Sequence, residues 1–273
     1  MATQHTSPSS YTMGYSDEFL QLLNRRNAEN SAAYLLPHLK PGMRLLDLGC
    51  GPGTITVGLA AAVSPGEVHG IDMEETQIAL AQSASQAGNH TNATFQVGNA
   101  LSLPFEDDYF DVVHAHAVAM HIPDTPALMA EAMRVLKTGG IFATRDLIAE
   151  SSFIEPGTDG LREAWTVFTN LIQGNGAHPE LGKEIKGVLI DCGFTDIRCS
   201  ASFDSYGTAE DLEFYYQFIL DWFFSEQLIE RVTGLGIATR EKFDFWRSEL
   251  DNWQSNPAAF GALAFGECIG RKG

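Results

Sequence analysis

The chain has 273 residues, 44% hydrophobic and 19% charged, enough for one large α/β domain or a core domain with a small cap. Its formal charge of −18 repels a phosphate backbone, and its lysines and arginines are spread too thinly to form a basic patch, so nucleic acid is not an expected partner. No apolar run approaches the roughly 20 residues that span a bilayer. The polar start from Met1 to Ser10 lacks a signal-peptide core, so no membrane partner is expected and the cytoplasm is the expected compartment. Cys50, Cys192, Cys199 and Cys268 have no short metal or disulfide spacing and read as free thiols.

Residues 1–15 read as a flexible tail, followed by a single domain from 16 to 273. Apolar residues at helical spacing predict one helix over Ser16–Leu36, capped by Ser16 and stopped by Pro37. Met43–Leu48 predicts a short strand. The glycine-rich stretch Gly49–Gly53 turns it into an apolar helix over Thr54–Val63. Strand Glu67–Asp72, helix Glu74–Ala87 and strand Ala93–Val97 follow, then strand Phe110–Ala115, helix Pro126–Leu136 and strand Ile141–Asp146. This alternation predicts an α/β fold: a parallel sheet with helices on both faces and right-handed crossovers. Ligands of such sheets sit beyond the carboxyl ends of the strands.

The second half changes character. A helix is expected within Phe153–Gly176, another over Leu181–Asp191, and an extended segment over Phe194–Phe203. Thr208–Arg231 is helical and rich in aromatics, Thr239–Trp253 is a further helix, and Ala258–Ile269 supplies a final strand. The helices around 150–176 and 207–255 are expected to form a helical cap on the sheet.

The strongest local signal is Leu45–Thr54: a buried strand, a turn with glycines at 49, 51 and 53, and a helix start. Absent Cβ atoms let a ligand approach the backbone, and free amides at a helix start favour an anion such as an amino-acid carboxylate. Asp47, at the strand end, can receive an ammonium group directly or through water. A tight loop or a dinucleotide site is the alternative, although the Gly-x-Gly-x-Gly spacing departs from the nicotinamide pattern. Nineteen residues after Gly53, Asp72 ends the next strand, where a carboxylate can accept from both hydroxyls of a ribose; a helix cap is the alternative. Asn99 ends the third strand with an amide suited to an adenine edge. His114 and His116 end the fourth.

Taken together, Leu45–Thr54, Ile71–Asp72, Gly98–Ala100, Phe110–Val113 and Arg134–Gly140 resemble the successive motifs of class I S-adenosylmethionine-dependent methyltransferases. The nearest likeness is to the quinone-biosynthesis type of small-molecule methyltransferases, and the segment Tyr11–Tyr15 also resembles that branch's lead-in. The resemblance implies a Rossmann-like sheet of seven strands, mostly parallel, with the last antiparallel. It implies S-adenosylmethionine as cofactor, S-adenosylhomocysteine as product, and a small organic molecule as methyl acceptor. Carried over by position, Asp47, Gly49 and Gly51 line the methionine end, Asp72 holds the ribose, and Asn99 and Ala100 contact the adenine, with Cys50 and Met73 as further cofactor contacts. Tyr15, in the lead-in, is expected to fold over the cofactor, with ordinary surface packing as the alternative. Asparagine at 99 departs from the family's usual aspartate, which alters adenine binding without excluding it.

A general base is needed only where the acceptor must lose a proton. His116 is the candidate, touching the cofactor with its backbone and with its ring as base; a pocket-lining histidine is the alternative. Asp146 is a second candidate, either orienting an acceptor or serving as a cap or buried ion pair. His121 is expected to pack near the following helix. No carboxylate completes a His-x-His metal site at fixed spacing, so no metal is expected. Trp165, Phe168 and Trp222 are candidates to line a flat apolar acceptor, against core packing for most of the aromatics. Two readings stand beside methyl transfer: the same cofactor-binding fold running a non-methylating reaction, and a non-catalytic binding module. A nicotinamide dehydrogenase is disfavoured by the glycine spacing. The oligomeric state is open.

Overall fold

The computed structural model describes residues 17–273. Ser16 and Tyr15, expected as a cap and a cofactor contact, lie outside them. In chain order the elements are α1 (Asp17–Asn24), α2 (Ala28–Ser31), a one-turn 3-10 helix (Leu36–His38), β1 (Leu45–Leu48), α3 (Thr54–Val63), β2 (Val68–Asp72), α4 (Glu75–Ala87) and β3 (Ala93–Val97). Next come β4 (Phe110–His116), a 3-10 turn (Ala119–His121), α5 (Thr125–Val135), β5 (Leu136–Glu155), α6 (Asp159–Gly174) and α7 (Leu181–Asp191). The chain closes with β6 (Thr195–Tyr206), α8 (Ala209–Phe223), α9 (Glu226–Gly234), α10 (Arg240–Gln254) and β7 (Phe260–Arg271).

The seven strands form one sheet in the order β3-β2-β1-β4-β5-β7-β6. Pairing is parallel from β3 through β5. β7 runs against β5: Gly139 donates to Lys272 at one end, while the Ala264 amide meets Ser152 at the other. The Rossmann-like, mostly parallel sheet expected from the motifs is therefore present, with its last strand antiparallel.

The chain divides into two compact units. The first comprises Leu20–Ile148, Glu180–Ser202 and Phe265–Gly273. Its register places Leu45, Val112 and Ile141 in one row and Asp47, His114 and Ala143 in the next, on the same face. Below that polar row, the same face is apolar and packs against α2 and α3 through Ala28, Ala32, Leu59, Ala60 and Val63. The second unit comprises Ala149–Pro179 and Phe203–Ala264 together with Phe19. Its core is Phe168, Leu171, Phe223, Val232, Phe243 and Trp246, from α6, α8, α9 and α10.

Several boundaries differ from expectation. The single helix over Ser16–Leu36 is broken, because Asn27 and Asn30 exchange side-chain bonds with each other's backbone amides and start α2 afresh. The aromatic segment is likewise split, with Ser225 capping α9. β5 does not end at Asp146 but continues to Glu155. The free-thiol reading is corrected at two positions. Cys199 and Cys268, 69 residues apart, lie on neighbouring strands with Cα atoms 4.2 Å apart and form a disulfide; Cys50 and Cys192 are free. Spacing along the chain carries no trace of a pairing that strand order creates.

Candidate functional site

The glycine turn is built from three left-handed residues, with φ of +62° at Gly49, +52° at Gly51 and +79° at Gly53. Two of them also lack room for a side chain. A Cβ at Gly49 would run into Val118, and one at Gly53 would lie 2.8 Å from the Ala81 methyl. At Gly51 nothing stands nearer than 3.8 Å, so the open space at the turn is at its middle glycine. Gly53 caps α3 with no side chain. The first amides of that helix accordingly have no intrahelical acceptor and present partial positive charge.

Asp72 joins the turn to the end of β2. Its Oδ2 accepts from the Gly51 amide at 2.9 Å and its Oδ1 from the Glu74 amide at 3.0 Å. Each oxygen keeps a lone pair for a further donor. Partial burial pushes this carboxyl's pKa up, and the two amides pull it back. Met73 beside it is 64% exposed. Asn99 is exposed, and its Oδ1 accepts from the Leu101 amide at 2.9 Å, which leaves the amide nitrogen as the group to meet a ligand; Ala100 is half-buried. β1, β2 and β3 thus bring the turn, Asp72 and Asn99 to one end of the sheet.

Asp47 has a different setting. It is 2% exposed, and both oxygens are bonded within the protein. Thr56 Oγ1, in the first turn of α3, donates to Oδ2 at 2.5 Å. His114 Nδ1, on β4, lies 2.7 Å from Oδ1. An open ammonium acceptor was expected here; the carboxylate is instead a buried tie between β1, α3 and β4. Cys50 is buried within the turn, where burial and the carboxylates of Asp47 and Asp72 push its thiol far up, so it stays protonated.

His116 is buried, its ring stacked 5.8 Å from that of Phe265. Both ring nitrogens are buried, with the Ser31 backbone as their hydrogen-bonding neighbour. Burial, then the charges of Arg26 and Arg145, hold its pKa well below the usual histidine value, so the imidazole is neutral. The next residue, Ala117, has φ of +52° and donates to the Arg145 carbonyl at 2.8 Å. His121 ends the following 3-10 turn, where burial and then Arg26 lower its pKa to about 4.

Asp146 was expected at a strand end facing the site. It sits within β5, fully buried, accepting from Thr144 Oγ1 at 2.6 Å and from the Met120 amide at 3.0 Å. Its bonds fasten the loop after β4 to β5; the expected alternative, a cap for the turn following Asp146, is not what is seen, because the strand continues there to Glu155. Neighbouring Arg145, also fully buried, lies 3.8 Å over the Phe265 ring and 3.4 Å from Glu267, which accepts in turn from Ser200 and Ser202. Sequence reading missed Thr56, Val118 and Glu267. A lone threonine at the start of an apolar helix was a signal for the first; the other two depend on strand order.

In the second unit, Trp165 and Phe168 have ring centroids 5.0 Å apart, and Phe168 meets Trp222 at 5.1 Å. The three expected lining residues therefore form one aromatic group, with Phe168 in the core and the two tryptophans half-buried at its margin. Trp222 continues a row of near-parallel rings with Phe218 and Phe214 along α8.

Comparison with known proteins gives a consistent picture. A family model for a methyltransferase domain matches residues 39–189. A probable methyltransferase of Aspergillus luteorubrus is 40% identical over 151 residues, 52% of this chain and 53% of that one. A demethylmenaquinone methyltransferase of Bacillus cytotoxicus is 32% identical over 149 residues, 54% of this chain and 60% of the relative. The chain thus spans between half and two-thirds of the length of these curated relatives. Among solved structures, the YcgJ protein from Bacillus superposes with a TM-score of 0.61 at 21% identity, over 89% of this chain and 98% of the other, which establishes the shared fold.

Proposed function

We propose that this chain, which belongs to the methyltransferase-domain family, binds S-adenosylmethionine and methylates a small organic acceptor. The observation that carries the reading is the Asp72 bridge: a half-buried carboxylate fixed by the Gly51 and Glu74 amides, beside a turn left open at its middle glycine. The fit to the cofactor is chemical. Unbonded helix amides suit its carboxylate, the remaining lone pairs of Asp72 suit the ribose hydroxyls, and Asn99 suits an adenine edge. When bound, this cofactor would supply an electrophilic methyl on sulfur, passed in line to an aligned nucleophile as the carbon–sulfur bond breaks and S-adenosylhomocysteine leaves.

The protein's part is to hold, align and exclude water. The rigid turn, wedged by Val118 and Ala81, fixes where the amino-acid end lies. His116 is neutral, the state a general base requires for an acceptor hydroxyl or amine. Asp146 acts by anchoring the Met120 loop, since both its oxygens are bonded. The aromatic margin of Trp165 and Trp222 suits an apolar acceptor body. We place this activity in small-molecule, secondary-type metabolism in the cytoplasm. No helix among the described residues is long and apolar enough to cross a membrane, and the charge of −18 argues against nucleic acid as acceptor.

Titration calorimetry with S-adenosylmethionine and S-adenosylhomocysteine, with NADH as control, tests the reading. Micromolar binding of both sulfur ligands and none of NADH is the expected result. Absence of binding removes the assignment. Mass analysis of acceptor panels then looks for a gain of one methyl group together with S-adenosylhomocysteine. Turnover without that gain would favour a non-methylating reaction instead. A 4+2 cyclase shares the fold with a TM-score of 0.53 at 18% identity, so the fold alone does not decide the chemistry.

A further inference from the structure

The pair formed by Asp47 and His114 spans the floor of the glycine turn, and neither the comparisons nor the motif reading gives His114 a role. Asp47 and His114 face each other in register on β1 and β4, with the histidine wholly buried and the carboxylate nearly so. The Nδ1 atom serves Asp47 at 2.7 Å, while Nε2 is buried with no hydrogen-bond partner among the described residues. A carboxylate oxygen accepts, so Nδ1 carries the ring hydrogen that donates to Asp47 Oδ1. Thr56 donates to the other oxygen and ties the same carboxylate to the first turn of α3, whose N-cap Gly53 offers no side-chain acceptor to the first amides.

We propose that His114 is a positioning residue for the cofactor. Through Nδ1 it fixes the orientation of Asp47, so that the carboxylate's charge is set against the amino-acid end of the ligand. This inference rests on the cofactor reading above. It assigns the effect to one ring atom and to one end of the ligand, and both can be isolated. Asparagine can place its amide nitrogen near the position of Nδ1, and glutamine near that of Nε2. S-adenosylhomocysteine carries the amino-acid end, and 5′-methylthioadenosine lacks it.

The experiment measures affinity for both compounds in the full chain and in the His114→Asn, His114→Gln, Thr56→Val and Thr56→Ser variants, with thermal unfolding to confirm folding. His114→Gln is expected to weaken S-adenosylhomocysteine at least tenfold while changing 5′-methylthioadenosine less than twofold. His114→Asn should stay within threefold of the parent for both. Thr56→Val should reproduce the ligand-selective loss in milder form and Thr56→Ser restore it, which keeps the test open if His114→Gln does not fold. Equal losses for both ligands would overturn the proposal, because they mark a merely structural role. Rescue by glutamine but not asparagine would overturn it as well, since Nε2 would then be the working atom. Failure of the parent chain to bind either compound would instead remove the cofactor reading itself, and this inference with it.

Discussion

Two aspartates stand at the ends of adjacent strands in the same unit, and they do different things. Asp72, on the rim of the glycine turn, is bonded only to backbone amides and is half open. Asp47, on the floor, is bonded to two side chains and is closed. The rim carboxylate is satisfied in a way that leaves acceptor capacity for a ligand, and its amide partners can return to water. The floor carboxylate has partners as buried as itself, so its bonds are part of the fold. Identical chemistry thus leaves acceptor capacity open at the rim and is locked into the fold at the floor, from where Asp47 could act on a ligand only through its charge, with burial of the partners as the deciding variable.

The sharpest way to break this comparison is Asp47→Ala. It strips the acceptor from His114 and Thr56, both buried, and should lower unfolding free energy by about 1–3 kcal/mol for each buried donor left unsatisfied. Urea denaturation measures this, and a loss under about 1 kcal/mol would show that the floor is not a structural tie. Acid tests the same burial from the histidine side. His121 has its pKa lowered to about 4, and His116 is depressed as well, whereas an unfolded histidine titrates near 6.5. Between those values the unfolded chain binds more protons, so stability falls as pH drops from 6.5 toward 4. His121 alone contributes a loss of about 3 kcal/mol across that window. His121→Gln should flatten this part of the stability curve, and an unaltered slope would place the acid sensitivity elsewhere.

At the rim, Asp72→Ala should weaken S-adenosylhomocysteine about 100-fold, equivalent to about 2.7 kcal/mol, with the melting temperature nearly unchanged. A large stability loss with intact affinity would reverse the roles assigned to the two aspartates.

Sequence reading found both carboxylates but assigned both to the ligand. The turn, Asp72 and the strand–helix alternation were legible because each is carried by contiguous residues with a fixed period. The closure of Asp47 was not, because its partner His114 arrives 67 residues later and becomes adjacent only when β4 inserts beside β1. The same reason hid the Cys199–Cys268 bond and the salt bridge of Arg145 to Glu267. Asp146 was placed at a strand end because Ile141–Asp146 looked complete, yet β5 continues through Leu147, Ile148 and Ala149, an apolar run that was itself a signal for extension.

The smallest effect separates strain from space within the turn. Gly49 and Gly51 both have positive φ, so alanine at either carries the left-handed penalty of about 1–2 kcal/mol. At Gly49 the new methyl must also displace Val118, whereas at Gly51 it meets nothing nearer than Leu23 at 3.8 Å. Gly51→Ala should therefore lower stability by about 1 kcal/mol, the strain alone, and Gly49→Ala by clearly more. Affinity should order the other way. The space beside Gly51 is open, and the cofactor reading proposed above puts the ligand there, so S-adenosylhomocysteine should lose more affinity through Gly51→Ala than its small stability cost suggests. If Gly51→Ala binds like the parent, the open side of the turn does not face the ligand, and Asp72 would have to act on it from another direction.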